Sequence, residues 1–473
     1  MAGVTVVSGV TDPGDVTIIS GISIFHTGVT LVDFNGGGPT PPTTVYFLSR
    51  TSSALDLQPS SLSIDSSGNI SVFGLNGSSG LGGVNSGLLI KLTPSGGLSV
   101  SDTLNPANGN SYGMQDSSGN YYITYTFATP YCCCGAIYYD VYSDLIKLDS
   151  SFNRIGELLN TVGYTYYPFK PPFLDNSGNI WTQVDFYGDS YYLSLIKYNS
   201  ALTSITSYDY NVSFTYWINT LAAAVTSTNQ LIAAGTYLDA AGCCVTSAYA
   251  LIQSVPTATP SATPTWTLWD ASGSIGDFNA IALDSSNNIY ASLRYYNFPS
   301  NNWLGKINAN GTLPLAWQRT YIGITRILSM ATDSSDNVYA IGLTTSGTAL
   351  AIIKVSSSGT LSFSRTLTAA SGSIGSPTIK VNGDIMYISA VYYTAAATRD
   401  VLVFKVPTDG TLTQTVSVGG VNFTYALGGI TSSTPSVTLS SRAGIPFTAT
   451  ALPTQVVTST VNSLTASQAV TVL

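Results

Sequence analysis

A turn that recurs about every 52 residues constrains the fold of this chain more than any other sequence feature. Its full form is Asp-Ser-Ser-Gly-Asn or a close variant, with a strand-like apolar segment on each side. A fixed period of this size is typical of propellers and solenoids, in which each repeat is one supersecondary unit. The full copies open at Asp65, Asp116, Asp175, Asp284 and Asp333.

Two degenerate copies occupy the remaining gaps in the series. AVTSTNQLIAAG places Thr226 at the aspartate position, and IKVNGDIMYISA places Lys380 there. The chain therefore contains seven units. Each is long enough for four strands of about 5–6 residues with their connections.

The second half of each unit repeats as well, as an apolar strand that ends near a lysine, a turn and a further strand. Six of the eight lysines share this position, and Gln253 takes it in the fourth unit. Neighbouring units would cover this strand on both faces, so each lysine needs a partner. We expect an acidic side chain or several carbonyl groups there, with the turn aspartate of the same or next unit as the first candidate. The lysines are Lys91, Lys147, Lys197, Lys306, Lys354 and Lys405.

The composition favours strands joined by tight turns. Charged residues make up only 8% of the chain, and Glu157 is its single glutamate. Helix-forming Glu and Lys are thus scarce, while β-branched residues, Tyr and turn-forming Asp, Asn, Gly and Ser are common. Four strands per unit and seven units predict an all-β fold, a seven-bladed β-propeller with small β-rich extensions at both ends.

The repeated pattern, Asp-x-Ser-Gly-Asn followed by an apolar strand ending in Lys and then by Ser-Gly-Thr-Leu, resembles the bacterial seven-bladed β-propeller repeat family. More distantly, it is similar to NHL-type propellers. The resemblance covers about residues 45–415. It implies a fold and no single activity, because this architecture carries many unrelated functions.

The pattern also predicts the domain organisation. Residues 44–418 form the propeller, 1–43 a β-rich module for assembly or anchoring, and 419–473 a small C-terminal β module. A propeller must join its first and last blades, since a free sheet edge invites aggregation. We expect residues 45–52 to pair into the last blade, although 411–418 compete for that place.

Candidate catalytic and metal-binding residues are few. The only histidine, His26, has no Cys, Asp or Glu cluster nearby in the sequence, so an ordinary packing role is favoured over that of a base or ligand. The turn aspartates offer several oxygens to a metal ion, but Asp and Asn also stabilise tight turns, and the spacing is not that of a calcium loop. We therefore expect no metal, no cofactor and no enzymatic activity.

Five cysteines form two groups that fall in the loops between the second and third strands of their units. Adjacent cysteines do not have the spacing of a zinc site. A disulfide to a neighbouring loop or to another subunit, or simple burial, is favoured over metal binding. The residues are Cys132, Cys133, Cys134, Cys243 and Cys244.

Charge and hydropathy bear on the partners. The net charge is −8 without a basic cluster, which argues against nucleic acid and anionic membranes. No stretch of the sequence is apolar enough to span a bilayer, and the N-terminal MAGVTVVSGVTDPGD lacks the features of a secretory signal. We expect synthesis in a host cytoplasm. The 30 tyrosines either pack the blades or form a face that binds glycan or protein.

Three function classes are compatible with this sequence: a virion structural component, a carbohydrate-binding or enzymatic propeller, and a secreted cell-surface repeat protein. Enzymatic activity is the least favoured, because few charged side chains are present to line a channel. We expect a phage tail, fibre or capsid-surface protein that is located in the virion and is homo-oligomeric within an assembly. Its expected partners are other virion subunits and a glycan or protein on the host surface. The alternative is an extracellular adhesin.

Overall fold

In the computed structural model, seven antiparallel sheets form a ring, and no helix occurs among the described residues. This confirms the predicted all-β class and the seven-bladed β-propeller. The described part comprises 57–76, 86–94, 98–104, 111–133, 136–160, 165–168, 171–187, 192–209, 216–241, 244–270, 276–295, 301–394, 399–418, 421–435 and 437–441, with the short strands 33–34, 43–49, 448–452, 454–455 and 471–472.

The first three blades follow two N-terminal strands, β1 (Asp33–Phe34) and β2 (Thr43–Ser49). Blade 1 contains β3 (Leu57–Ile64), β4 (Ile70–Asn76), β5 (Ser86–Leu92) and β6 (Leu98–Leu104). Blade 2 contains β7 (Tyr112–Gln115), β8 (Tyr121–Cys133), β9 (Ala136–Leu148) and β10 (Arg154–Asn160). Blade 3 contains β11 (Thr165–Pro168), β12 (Phe173–Leu174), β13 (Ile180–Tyr187), β14 (Tyr192–Tyr198) and β15 (Ile205–Asp209).

The remaining blades repeat the order. Blade 4 contains β16 (Tyr216–Val225), β17 (Gln230–Ala241), β18 (Cys244–Pro256) and β19 (Trp266–Asp270). Blade 5 contains β20 (Gly276–Leu283), β21 (Ile289–Tyr295), β22 (Asn301–Ile307) and β23 (Trp317–Ile322). Blade 6 contains β24 (Ile324–Thr332), β25 (Val338–Thr344), β26 (Leu350–Val355) and β27 (Leu361–Ala369). Blade 7 contains β28 (Ser373–Asn382), β29 (Ile385–Tyr393) and β30 (Arg399–Pro407).

The N-terminal segment closes the ring. Strand β2 pairs antiparallel with β30, with Val45 opposite Phe404 and Leu48 opposite Val401, and so supplies the fourth strand of blade 7. This is the pairing expected for the segment that begins at residue 45. The competing segment instead forms β31 (Gln414–Val418) beside β32 (Val421–Leu427), at the outer edge of blade 6.

The C-terminal strands run around the outside of the ring, and we call β32 to β37 the belt. β32 pairs with β27 of blade 6, and β33 (Thr431–Ser433) pairs with β23 of blade 5. β34 (Leu439–Ser441) and β35 (Thr448–Leu452) continue on blades 4 and 3. β36 (Thr454–Gln455) pairs with β10 of blade 2, and β37 (Thr471–Val472) with β2 in blade 7.

The belt covers sheet edges that would otherwise present unpaired backbone groups. A small C-terminal β module was predicted for residues 419–473. The described strands of this segment pair with blades, and no separate sheet of their own occurs among them. Blade 1 has four described strands, so β6 carries no belt strand within the described part of the chain. The domain boundaries themselves stay predictions.

The core consists of seven apolar layers, one at each interface between neighbouring blades. Each layer combines residues from the facing sheets, as Val72 and Ile90 of blade 1 do with Val401 and Val403 of blade 7. The other six interfaces have equivalent clusters. Both faces of each blade are thus buried, which accounts for the nearly continuous apolar runs in the second and third strands.

The belt is itself part of this core. Phe423 of β32 is buried and packs edge-on against Tyr392 of blade 7, with ring centroids 5.2 Å apart. Its neighbour Asn422 is exposed, although its backbone carbonyl accepts a hydrogen bond from the backbone N–H of Ala370. The belt therefore joins adjacent blades as well as covering an edge.

We expect Phe423→Ala to reduce the free energy of unfolding by about 3–5 kcal/mol, because it leaves a cavity between β32 and blade 7. Asn422→Ala is the matched control, since it keeps the backbone bond and removes an exposed side chain. Equilibrium unfolding in denaturant measures both variants. Equal stability of the two would show that the belt does not hold the blades together.

Candidate functional site

The turn aspartates organise the hairpins between first and second strands. In blade 1, Asp65 Oδ1 accepts the backbone N–H groups of Ser67 (2.9 Å) and Asn69 (2.8 Å), while Oδ2 accepts the Asn69 amide (2.7 Å). The same bonds recur at Asp116, Asp175, Asp284 and Asp333. The carboxylates are therefore occupied by the turn, in agreement with the structural interpretation.

The fourth residue of the turn has positive φ in six blades. Glycine occupies it in blades 1 to 3, as at Gly68 (φ 79°), because glycine tolerates this conformation. In blades 4 to 6 it is Asn229, Asn287 or Asp336. There the side chain accepts a backbone N–H from the turn of the preceding blade, as Asn287 Oδ1 does from Ser227 (2.8 Å). These residues therefore link adjacent blades, which glycine cannot do.

The repeated lysines meet the turn aspartates in four blades, as expected. Lys306 Nζ lies 2.8 Å from Asp284 Oδ2, and both groups are largely buried, with side-chain exposures of 11% and 1%. The corresponding pairs in blades 1, 3 and 6 are longer, at 3.8, 3.9 and 3.7 Å. The Lys147 ammonium lies over the Tyr122 ring, 5.2 Å from its centroid.

Several of these lysines also contact the next blade. Lys197 donates to the carbonyl of Thr257 (3.1 Å), and Lys354 to that of Thr408 (3.2 Å). Lys405 donates to the carbonyl of Pro94 (3.3 Å), which links blade 7 to blade 1. The repeated lysine thus joins consecutive blades, and its repetition has a structural cause.

An aromatic residue six positions after the aspartate completes the arrangement. Trp181 Nε1 donates to Asp175 Oδ2 (3.0 Å), and the Lys197 ammonium lies 5.0 Å from the Trp181 ring centroid. Tyr339 contacts Asp333 and Lys354 in the same way. The aspartate, lysine and aromatic ring form a compact group in which both charges are satisfied.

Blade 4 replaces all three members together. Thr226 opens the turn, Ile232 takes the aromatic position, and Ser254 lies opposite Ile232 at the lysine position. The assignment of Gln253 to that position is therefore wrong by one residue. Because a buried lysine without its aspartate would be an unpaired charge, the simultaneous loss of both is physically consistent.

The second degenerate copy also differs from its predicted alignment. Lys380 pairs with Tyr387 inside the hairpin of blade 7, and Asn382, at the end of β28, pairs with Ile385 at the turn. Lys380 is thus a first-strand residue, and its predicted place at the turn-opening position is wrong. A shorter turn in this hairpin shifts the sequence pattern relative to the other units.

The first strands of the blades surround a central channel of about 850 Å³. Its wall is formed mainly by small, apolar and amide side chains. Lys380 is the only charged side chain among the described residues that line it, and no carboxylate is among them. Lys380 is solvent-exposed within the channel, yet the surrounding protein lowers the pKa of its ammonium group.

The remaining predicted residues are placed only in part. Strand β8 ends at Cys133 and β18 begins at Cys244, so these two residues lie at strand ends in the hairpins between second and third strands. The side chains of all five cysteines, and the whole of His26, lie outside the described residues. Their disulfide or inter-subunit role stays a prediction.

A search of the described residues finds no group of three or more His, Cys, Asp or Glu side chains arranged to hold a metal ion. In the same part of the chain, no helix has the length and apolar character needed to cross a membrane.

Comparison with known proteins adds little to the fold. No family model matches the sequence, and no curated protein matches it. Among solved structures, the chain is similar to a protein of unknown function from Dyadobacter fermentans DSM 18053, with a TM-score of 0.46, 12% identity and coverage of 77% of this chain and 98% of that one. It is also similar to the polysaccharide lyase Uly1, with a TM-score of 0.45, 9% identity and coverage of 74% and 90%. No functional conclusion rests on either.

We expect Asp284→Ala to reduce the free energy of unfolding by about 3–5 kcal/mol, because it leaves Lys306 buried without its counter-charge. Asp149→Ala is the matched control. Asp149 makes the same bonds to Ser151 and Asn153 in an exposed turn, and no lysine among the described residues forms an ion pair with it. Denaturant unfolding of both variants compares the losses, and an equal loss would show that the turn bonds alone account for the effect.

Acid should weaken the propeller through these turns. Burial acts to raise the pKa of Asp284 and Asp333, but hydrogen bonds, from Lys306 to Asp284 and from Asn337 to Asp333, outweigh it and hold both pKa values below the ordinary one. The stabilisation is therefore complete above about pH 4 and is lost as the pH falls through the lowered values. Thermal unfolding between about pH 6 and 2 should show a shallower decline in the Asp284→Asn, Asp333→Asn double variant than in the parent. Parallel declines would contradict this assignment.

Proposed function

We propose that this protein is a non-enzymatic structural component of a virion, a tail, fibre or capsid-surface protein that displays its propeller for attachment or particle stabilisation. The observation that carries the proposal is the belt. Strand β2 closes the ring, and the belt lies on the outer edges of blades 2 to 7. The chain thus uses its own terminal segments to occupy positions where other chains could add a strand.

Dense display makes such coverage useful. Copies of a propeller on one particle are held at high local concentration, where exposed edge strands of neighbouring copies would pair with one another. On blades 2 to 7 the added terminal strands are mostly short, and very short edge strands suppress this association. The hairpin tips at the two ends of the disc are then left for specific contacts, as is usual for loops on a rigid scaffold.

The surface composition supports the same role. With 8% charged residues and 30 tyrosines in 473 residues, specific contacts would be made by hydroxyl and aromatic groups rather than by ion pairs. Weak contacts of this kind become strong when many copies bind at once. Repeated display on a particle therefore fits a low-charge propeller better than a single tight site does.

The proposal is tested by locating the natural chain. Antibodies raised against the recombinant propeller should detect it in particles that are purified by density gradient and washed in high salt, at a fixed ratio to the major capsid protein. An abundant host cytoplasmic protein serves as the control for carry-over. Recovery of the chain on cell envelopes or as a free monomer in the medium would overturn the virion role and favour the adhesin alternative.

A further inference from the structure

At one level of the central channel, the seven side chains in the wall differ in polarity from blade to blade. Strand register places one residue of each blade there, each opposite the second-strand residue that faces the repeated lysine position. Five of the seven side chains are apolar, one is a hydroxyl and one is an ammonium group. In blade order they are Ser63, Met114, Phe173, Ala224, Ala282, Ala331 and Lys380.

Lys380 differs from the lysines of the repeated position. In four blades those lysines lie within 4 Å of an aspartate, whereas neither a hydrogen bond nor an ion pair to Lys380 is found among the described residues. Its side chain lies in the channel wall, and no carboxylate is among the described residues of that wall. A lone ammonium group in such a channel attracts a counter-ion, because the low-dielectric wall focuses its field.

The two blades beside blade 7 make the surroundings of Lys380 asymmetric. Ser63 of blade 1 accepts a hydrogen bond from the backbone N–H of Gln115 (3.2 Å), so its hydroxyl proton is left to donate elsewhere. On the other side, Ala331 of blade 6 begins the apolar part of the wall, which continues through Ala282 and Ala224. The wall at this level can therefore bind an anion at Lys380 and Ser63 and an apolar group at the alanines.

We propose that the central channel binds a small organic carboxylate, with its anionic group on Lys380 and Ser63 and its apolar body against the alanine, methionine and phenylalanine side chains of the same level. The channel volume of about 850 Å³ is within the range of small-molecule sites. A few directed polar groups in a mostly apolar wall are also typical of such sites. This inference goes beyond the proposed function and does not depend on it.

The test uses hexanoate as the probe, at constant ionic strength, with binding followed by ligand-observed NMR on the full chain. Hexanol carries the same apolar body without the charge, and sulfate carries charge without the body. We expect hexanoate to bind the parent and Lys380→Arg with similar affinity, and Lys380→Met at least about tenfold more weakly. Hexanol and sulfate should both bind the parent more weakly than hexanoate does.

Two controls keep the outcome interpretable. Lys147→Met removes a lysine of the repeated position that does not line the channel, and its affinity for hexanoate should equal that of the parent. Lys380→Met removes a cation that has no hydrogen-bond or ion-pair partner in the described part of the chain, so circular dichroism should show it folded. Unchanged hexanoate binding in Lys380→Met, no binding to the parent, or sulfate binding as tight as that of hexanoate would each overturn the proposal.

Discussion

Face-to-face packing between neighbouring blades holds the ring together and sets the requirements that every other element meets. Each sheet is apolar on both faces, and seven clusters fill the seven interfaces. A single blade would expose both faces to water, so its stability comes from its neighbours. The ring therefore has to close. The β2–β30 pairing gives blade 7 a fourth strand, as in the other blades.

Burial on both faces also explains why each repeated lysine needs polar or aromatic contacts. A lysine inside such a sheet is tolerated because the turn aspartate, an aromatic ring or a carbonyl of the next blade surrounds its ammonium group. Blade 4 has neither a lysine at this position nor a turn aspartate, so it also avoids a buried unpaired charge. Lys380 follows neither pattern: its side chain lies in the channel wall, and no ion pair or hydrogen bond to it is found among the described residues.

The repeat was predictable because both of its causes are local. The Asp-Ser-Ser-Gly-Asn turn depends on side-chain bonds to backbone groups two and four residues away, and on a residue that tolerates positive φ. The two positions that the sequence misplaced lie in repeats that lack these local turn interactions. Gln253 and Lys380 were displaced by one and two residues because a degenerate copy has no turn aspartate to fix its register, which is then set by strand pairing.

Residue type and period alone predict the all-β class, the seven blades, the turn chemistry and the segment that closes the ring. By contrast, tertiary contacts set the path of the belt, the partner of each lysine and the isolation of Lys380. These depend on which edges and faces come together when the ring closes. The Thr- and Ser-rich strands after residue 420 are compatible with many pairings, and the free edges of blades 2 to 7 select among them.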